Sequence, residues 1–329
     1  MDTVTIRSVA RAHRALAAFT GGMAVLAVVC LVGLALDPRQ LGGQPIWAKP
    51  LKFSVSFVLY GATLAWMISL VTAPATRRRA RRAGAVVAAA GTVEMVAIVG
   101  QVLRGRASHF NVATALDTAV WAVMGTTIVV LWVATAGIGV LLLRERTLAA
   151  DTAWAVRLGL AVTLLGMATA FLMTGATGAQ IAAAQTTGTM TTVGAHAVGV
   201  PDGGPGLPLV GWSTTGGDLR IGHFVGLHAL QGLPLLALGL LVLAPRVPVL
   251  RDVRVRARLV GVAGAAWGAL TLLLVWQALR GQSIIAPDGA TLGVAAALVV
   301  ATLGAAATVL RTGRRTARPA TPTTVLEPR

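Results

Sequence analysis

Apolar runs of about twenty residues succeed one another along the whole chain, a length that rises roughly 30 Å as helix and so matches the hydrocarbon core of a bilayer. Short stretches rich in arginine, glycine and proline separate them. The pattern predicts eight membrane helices, at 15–36, 51–73, 83–104, 115–143, 158–180, 222–244, 259–280 and 291–310. Inside two of these runs the polar positions keep a helical period. Glu94, Gln101, Arg104 and Ser108 form one stripe from the middle of the third helix to its end, and Lys49, Lys52, Ser56, Tyr60 and Thr63 form another on the second. The expected fold is an all-α polytopic membrane bundle.

Composition agrees, with 56% hydrophobic and 12% charged residues. A formal net charge of +17 raises the question of nucleic acid, but the basic residues sit in short clusters between apolar runs, as topology signals do. Most of them fall in Arg7 to Arg14, Arg77 to Arg82, Arg144 to Arg157, Arg246 to Arg258 and from Arg311 on. Arg39, Lys49, Lys52, Arg104, Arg106, Arg220 and Arg280 fall on the other side. This alternation predicts both termini in the cytoplasm of a bacterial inner-membrane protein. The first apolar run reads as a retained helix, and Cys30, the one cysteine, excludes an intrachain disulfide or a thiolate cluster. One transmembrane domain, 1–310, is expected, with halves 1–150 and 151–310. A long outer loop at 181–222 reads either as a mobile lid or as an ordered plug, and a disordered cytoplasmic tail is expected at 311–329.

Candidate chemistry gathers at the outer ends. GGDLRIGHFVGLHALQ, from Gly216 to Gln231, holds Asp218, Arg220, His223, His228 and Gln231. On a continuous helix Arg220, His223, His228 and Gln231 span an arc of roughly 140°, so all four could look into one cavity. At matching depth lie His109 and Asn111 after the third helix, and Gln277 and Arg280 at the end of the seventh. Glu94, near the bilayer centre, is a functional candidate because an ionisable group there is costly. His13 and His196 read as incidental. QVLRG at Gln101 to Gly105 matches QALRG at Gln277 to Gly281, which suggests a parallel four-plus-four duplication.

Three chemistries could use this set. Haem b could take His109 and His223 as axial ligands. A divalent metal on Asp218 and the histidines matches no zinc spacing, so no metal site is assigned. An anionic amphiphile could be clamped by Lys52, Arg104, Arg220 and Arg280, with Glu94, His109, His223 or His228 handling a proton and Lys49, Gln101, Ser108, Asn111, Asp218, Gln231 and Gln277 lining the site.

WAKPLKFSVSF, QVLRGRASHFN, VGVPDGGPGLPLVGWSTTGGDLRIGHFVGLHALQ and WQALRGQS together resemble a family of bacterial multi-pass membrane proteins that carries no assigned activity. The resemblance runs from Trp47 to Gln282 and implies no catalytic residue or cofactor. A likeness to haem A synthase fails on position, since no histidine lies in the fourth or eighth helix. The leading expectation is an inner-membrane protein with an outward-facing polar pocket for an anionic amphiphile, a lipid or a quinone, as a membrane enzyme or redox component. A haem protein, a secondary transporter or exporter, and a sensor or assembly partner without chemistry are the other readings.

Overall fold

The computed structural model describes residues 13–316. Helix α1 (Arg14–Leu36) leads into a small hairpin, β1 (Gln40–Leu41) with β2 (Gln44–Pro45). Then come α2 (Ala48–Ser69), α3 (Pro74–Leu103), α4 (Ala115–Leu143) and α5 (Ala150–Ala168), which ends in a 3₁₀ segment, Thr169–Met173. A short helix α6 (Gly178–Thr187) and the antiparallel pair β3 (Ala197–Val198) and β4 (Gly217–Asp218) precede α7 (Leu219–Leu227), α8 (Ala229–Leu243), α9 (Val253–Leu279) and α10 (Gly289–Thr316). Among the described residues seven helical stretches are long and apolar enough to cross a membrane, and α7 with α8 makes an eighth if the bent pair is one span. The fold is nearly all-α. Arg7, Arg11 and the tail from 317 lie outside the described residues, and α10 continues through Thr316, beyond the expected end at 310.

In the first four spans α1 packs on α2 and α3, α2 on α3, and α3 on α4. In the last four α5 packs on the bent span and on α9, the bent span on α9, and α9 on α10. The two sets meet through α4 with α5 and α2 with α8. A shared apolar core, including Leu64, Met67, Ile98, Met124, Leu131 and Leu160, fills the middle. Outward faces are also apolar: Val25 and Val28 on α1 and Val300 and Leu303 on α10 are exposed, as lipid-facing residues are.

Helices α7 and α8 meet at a bend of 42° at His228. Pro234 lies inside α8 and has no N–H to give to the turn before it. A broken helix within a membrane needs other donors for its freed carbonyls. Trp267 Nε1 donates to Val225 O at 2.7 Å and Thr163 Oγ1 donates to Leu227 O at 3.1 Å. The backbone of α7 also lies directly on α5: a Cβ built on Gly166 would stand 2.7 Å from Gly226.

Polar networks close both ends of the bundle. At the arginine-rich end Arg256 Nε meets Asp151 at 2.6 Å, both side chains almost fully buried, and Arg256 also donates to Leu250 O. Glu145 accepts from the Thr72 backbone N–H at 2.8 Å. His13 is not incidental: its Nδ1 accepts from Leu16 N at the start of α1, and its Nε2 donates to Arg81 O on α3. Removing one partner of a buried ion pair leaves an uncompensated charge, so Arg256→Met should cost about 3–5 kcal/mol. Restoring neutrality with Asp151→Leu in the same chain should recover most of that loss, read as the unfolding midpoint in a denaturing-detergent titration.

Candidate functional site

The site starts where α3 ends. Gly105, at φ 66°, terminates the helix in the left-handed conformation that glycine adopts without strain. The connection then folds into the bundle and pairs with the long loop: Val112 N donates to Thr191 O and Val193 N to Phe110 O. Asn111 serves this turn, its Nδ2 donating to Ala107 O and its Oδ1 accepting from Ala113 N. Phe110 takes φ 62°, costly for a bulky residue by about 1–2 kcal/mol. Its ring is buried against Trp121, at 5.3 Å between centroids, and His196, at 4.8 Å.

His109 is thereby carried down among helices, 5.8 Å from the Phe53 ring of α2 and 5.5 Å from Trp121 of α4. Its Nδ1 meets Ser108 Oγ at 3.1 Å, and its Nε2 stands 3.7 Å from Glu94 Oε1. Glu94 sits roughly 14 Å along the axis below Leu103, the last residue of α3. Its side chain is 1% exposed and its Oε2 has no hydrogen-bond partner among the described residues. The Lys49 ammonium lies 5.9 Å above the Phe53 ring, within electrostatic reach of Glu94, and makes no hydrogen bond among the described residues.

Two further histidines complete the cluster. His223 Nδ1 meets the carbonyl of Gly166 at 2.7 Å; a carbonyl only accepts, so Nδ1 carries the proton and Nε2 keeps its lone pair. His196 Nδ1 donates to Asp202 Oδ2 at 2.9 Å, and its Nε2 is likewise left with a lone pair. His109 is in electrostatic reach of Lys49, His196 and His223. Burial first, then Lys49 and the neighbouring histidines, push the His109 imidazole well below its ordinary range and hold it neutral. Burial also lowers His196, against the opposing Asp202 bond. Burial pulls Asp202 upward, but hydrogen bonds from the His196 ring and the His196 and Ala197 N–H groups, with the His196 charge, bring it down to about 2.

The cations behave differently from the expected anion clamp. Lys52 donates to Val210 O at 2.9 Å and to Gln44 Oε1, while Arg220 donates to Gly211 O at 2.6 Å and pairs with Asp218. Arg104 joins Gln101 on the fully buried Asp117, which Thr114 also bonds. Arg280 is held by Asp288 and stacks on Trp276, and Gln277 donates to Ser283 O. All four cations are engaged by the chain itself. Nor do Arg220, His223, His228 and Gln231 share one arc, because the helix breaks at His228, which turns to Gln231 at 3.4 Å. The 181–222 stretch is ordered, built from the end of α6, the β3–β4 pair and the bridges Asn111 to Thr192 and Gly206 to Ser213. His196, read as incidental from the sequence, lies in the cluster because the Pro201 to Gly204 turn brings Asp202 back onto it.

Among the described residues no group of three His, Cys, Asp or Glu is arranged to hold a metal ion. A surface concavity of about 380 Å³ lies elsewhere, between α6 and residues 189–192, lined by Gln180, Thr187, Met190 and Thr191 among others and by no titratable group. No family model, curated protein or solved structure matches the chain, so the family resemblance gains no support from them.

Acid should loosen the loop. His196 and Asp202 both titrate below their ordinary values, so each contributes stability that is complete above its unfolded value and lost as pH falls. The loss should begin below about pH 6.5 for His196 and run from about 4 down to about 2 for Asp202. Amide hydrogen exchange at His196 and Ala197, whose N–H groups Asp202 accepts, should lose protection in that order. Asp202→Asn should abolish the lower step.

Proposed function

We propose that this is a multi-pass membrane protein that binds an amphiphile with a hydrogen-bonding ring head group, of the quinone and quinol class, in the cluster around Glu94 and His109. Glu94 carries the reading: a deeply buried carboxyl oxygen without a partner, beside a neutral imidazole and an amine that also lacks one. A bound hydroxyl or carbonyl head group would supply those hydrogen bonds, with Glu94 and His109 exchanging its proton and Lys49 and His223 Nε2 orienting it. Phe53, Phe110 and Trp121 offer aromatic walls. A head group would reach this place beside His109, 19% of whose side chain is open. Irregular backbone at membrane depth is tolerated where it is buried in protein or lines a cavity, which suits the inward-folded Ser108 to Asn111 turn. A neutral head group is favoured over an anion because Lys52, Arg104, Arg220 and Arg280 are already engaged.

The orientation that goes with this reading places the cluster toward the outer face of a bacterial inner membrane, with the arginine-rich end in the cytoplasm. The four-plus-four duplication belongs to it as well. Gln101 to Gly105 and Gln277 to Gly281 both end a helix on a glycine with positive φ, and in both the arginine reaches an aspartate at the start of the next span.

A second reading, a bis-histidine haem site, is favoured by one observation, the His223 Nδ1–H held by Gly166 O with Nε2 left to face a ligand. A Soret band in protein from haem-replete cells would support it, and its absence would remove it.

The leading reading is tested with decyl-tailed benzoquinone added to protein in nanodiscs, followed by quenching of tryptophan fluorescence, since Trp121 borders the cluster. Saturable binding is expected, weakened about 10-fold or more by Glu94→Gln and by His109→Phe, the loss of one hydrogen bond to a charged or proton-sharing group. Unsaturable quenching, or equal affinity in all three proteins, would sink it.

A further inference from the structure

Glu94 lies deep in the bundle, and any proton it gains or gives must come from water on one side. Toward the arginine-rich end the helices around it present an apolar core, Leu64, Met67, Ile68 and Val87 among its members. In the other direction titratable groups follow one another. His109 Nε2 stands 3.7 Å from Glu94, His196 is in electrostatic reach of His109 with the Phe110 ring against both, and Asp202 bonds His196 at 2.9 Å. Openness rises along the series, from 1% for the Glu94 side chain through 19% and 22% for the two histidines to 35% for Asp202.

We infer that Asp202 and His196 are the outer station of a proton path that connects Glu94 and His109 with the water beyond the loop. The proposal rests on the reading of Glu94 and His109 as the proton-exchanging pair, and it assigns to the ordered loop a role beyond covering the site. The tautomer fixes the direction of hand-over: His196 holds its proton on Nδ1 toward Asp202 and keeps a lone pair on Nε2 to receive one. A proton arriving on Nε2 is matched by release of the Nδ1 proton to Asp202, so the ring passes one proton without a lasting charge; water bridges the gap to His109. Reprotonation in the opposite sense reverses each bond. The charged and titratable groups facing this path are Lys49 and Lys52 on α2, Glu94 on α3, Asp218, Arg220 and His223 at the start of the sixth span, and His228 at its bend. Lys52, Arg220 and Asp218 are tied to the loop and to each other, which leaves Lys49 as the cation that raises the barrier to a proton near Glu94.

Phe110 stands against both histidines, its ring centroid 6.1 Å from that of His109 and 4.8 Å from that of His196.

The test is a pH jump on the whole protein in nanodiscs, with the infrared carboxyl signal of Glu94 identified by its loss in Glu94→Gln. His196→Phe and Asp202→Asn should slow the Glu94 response by about 10- to 100-fold, the scale of a lost acid–base relay. Free imidazole in the buffer should restore part of the rate in a His196→Gly protein, which a purely structural role for His196 would not allow. Asp202→Asn keeps an oxygen in the place of Oδ1, which accepts from both the His196 and the Ala197 N–H groups, so it preserves the turn and separates folding from proton transfer. Unchanged rates in both variants would overturn the path, as would a wild-type protein in which Glu94 gives no signal between about pH 4 and 9. Because this readout needs no ligand, failure of benzoquinone binding with a slowed Glu94 response would reject the ligand reading and keep the path.

Discussion

Two cations on two consecutive carbonyls hold the loop end of the bundle together. Lys52 comes from α2, in the first four spans, and Arg220 from α7, in the last four; they take Val210 O and Gly211 O. Neither side of this contact is comfortable alone. Half-buried ammonium and guanidinium groups need acceptors, and a turn outside any extended ladder has carbonyls to spare. Gly211 is required at the meeting point: its φ is 67°, and a Cβ there would fall 1.3 Å from Gln44 Nε2, the side chain that shares Lys52. From this clasp the rest of the loop is set. Asp218 holds Arg220 and accepts from Ser213 N, β4 pairs with β3, and β3 follows His196, which is then laid against Phe110.

The spans were legible because lipid imposes one rule on all of them. The fourth helix has the expected limits, and the others shift for local reasons. The second begins at Ala48 because Pro50 in a first turn has no intrahelical N–H bond to lose. The third begins at Pro74 for the same reason and carries its arginines as a helical extension, arginine being a good helix former. The break at His228 was less visible, since Pro234 marks a defect without saying where the freed carbonyls find donors; Trp267 and Thr163 come from other spans. The partners of the polar residues were not legible. His109 stands 3.7 Å from Glu94, but the sequence could not tell that Arg104 belongs to Asp117 or that Arg256 belongs to Asp151, 105 residues away. A lone loop histidine has no period to betray it, so His196 reads as incidental in the sequence, and only the turn that returns Asp202 to it shows its place.

The proposed duplication, if the spans are read that way, accounts for a frame and not for the site. Both arginine-to-aspartate closures tie one helix end to the next helix start. The first encloses a longer connection, from Arg104 to Asp117, and the second a shorter one, from Arg280 to Asp288. Only the longer has the slack to fold inward, and it is the one that carries His109 to Glu94. The difference between the two closures is thus one of connection length.

How this chain treats its other buried acids bears on Glu94. Asp117 is bonded by Gln101, Arg104 and Thr114, Asp151 by Arg256 and Thr152 N, and Asp218 by Ser213 N and Arg220. Each is neutralised by an arginine or capped by a backbone N–H, the arrangement that makes a buried carboxylate tolerable. Glu94 has neither. An imidazole at 3.7 Å is too far for a good hydrogen bond, the nearby Lys49 donates none to it, and one carboxyl oxygen is left bare. A purely structural acid at this depth would be expected to have acquired the partners these buried acids have, since an unpaired buried polar group costs several kcal/mol. The missing partner is therefore best sought outside the chain, as a proton, a water or a ligand head group that comes and goes.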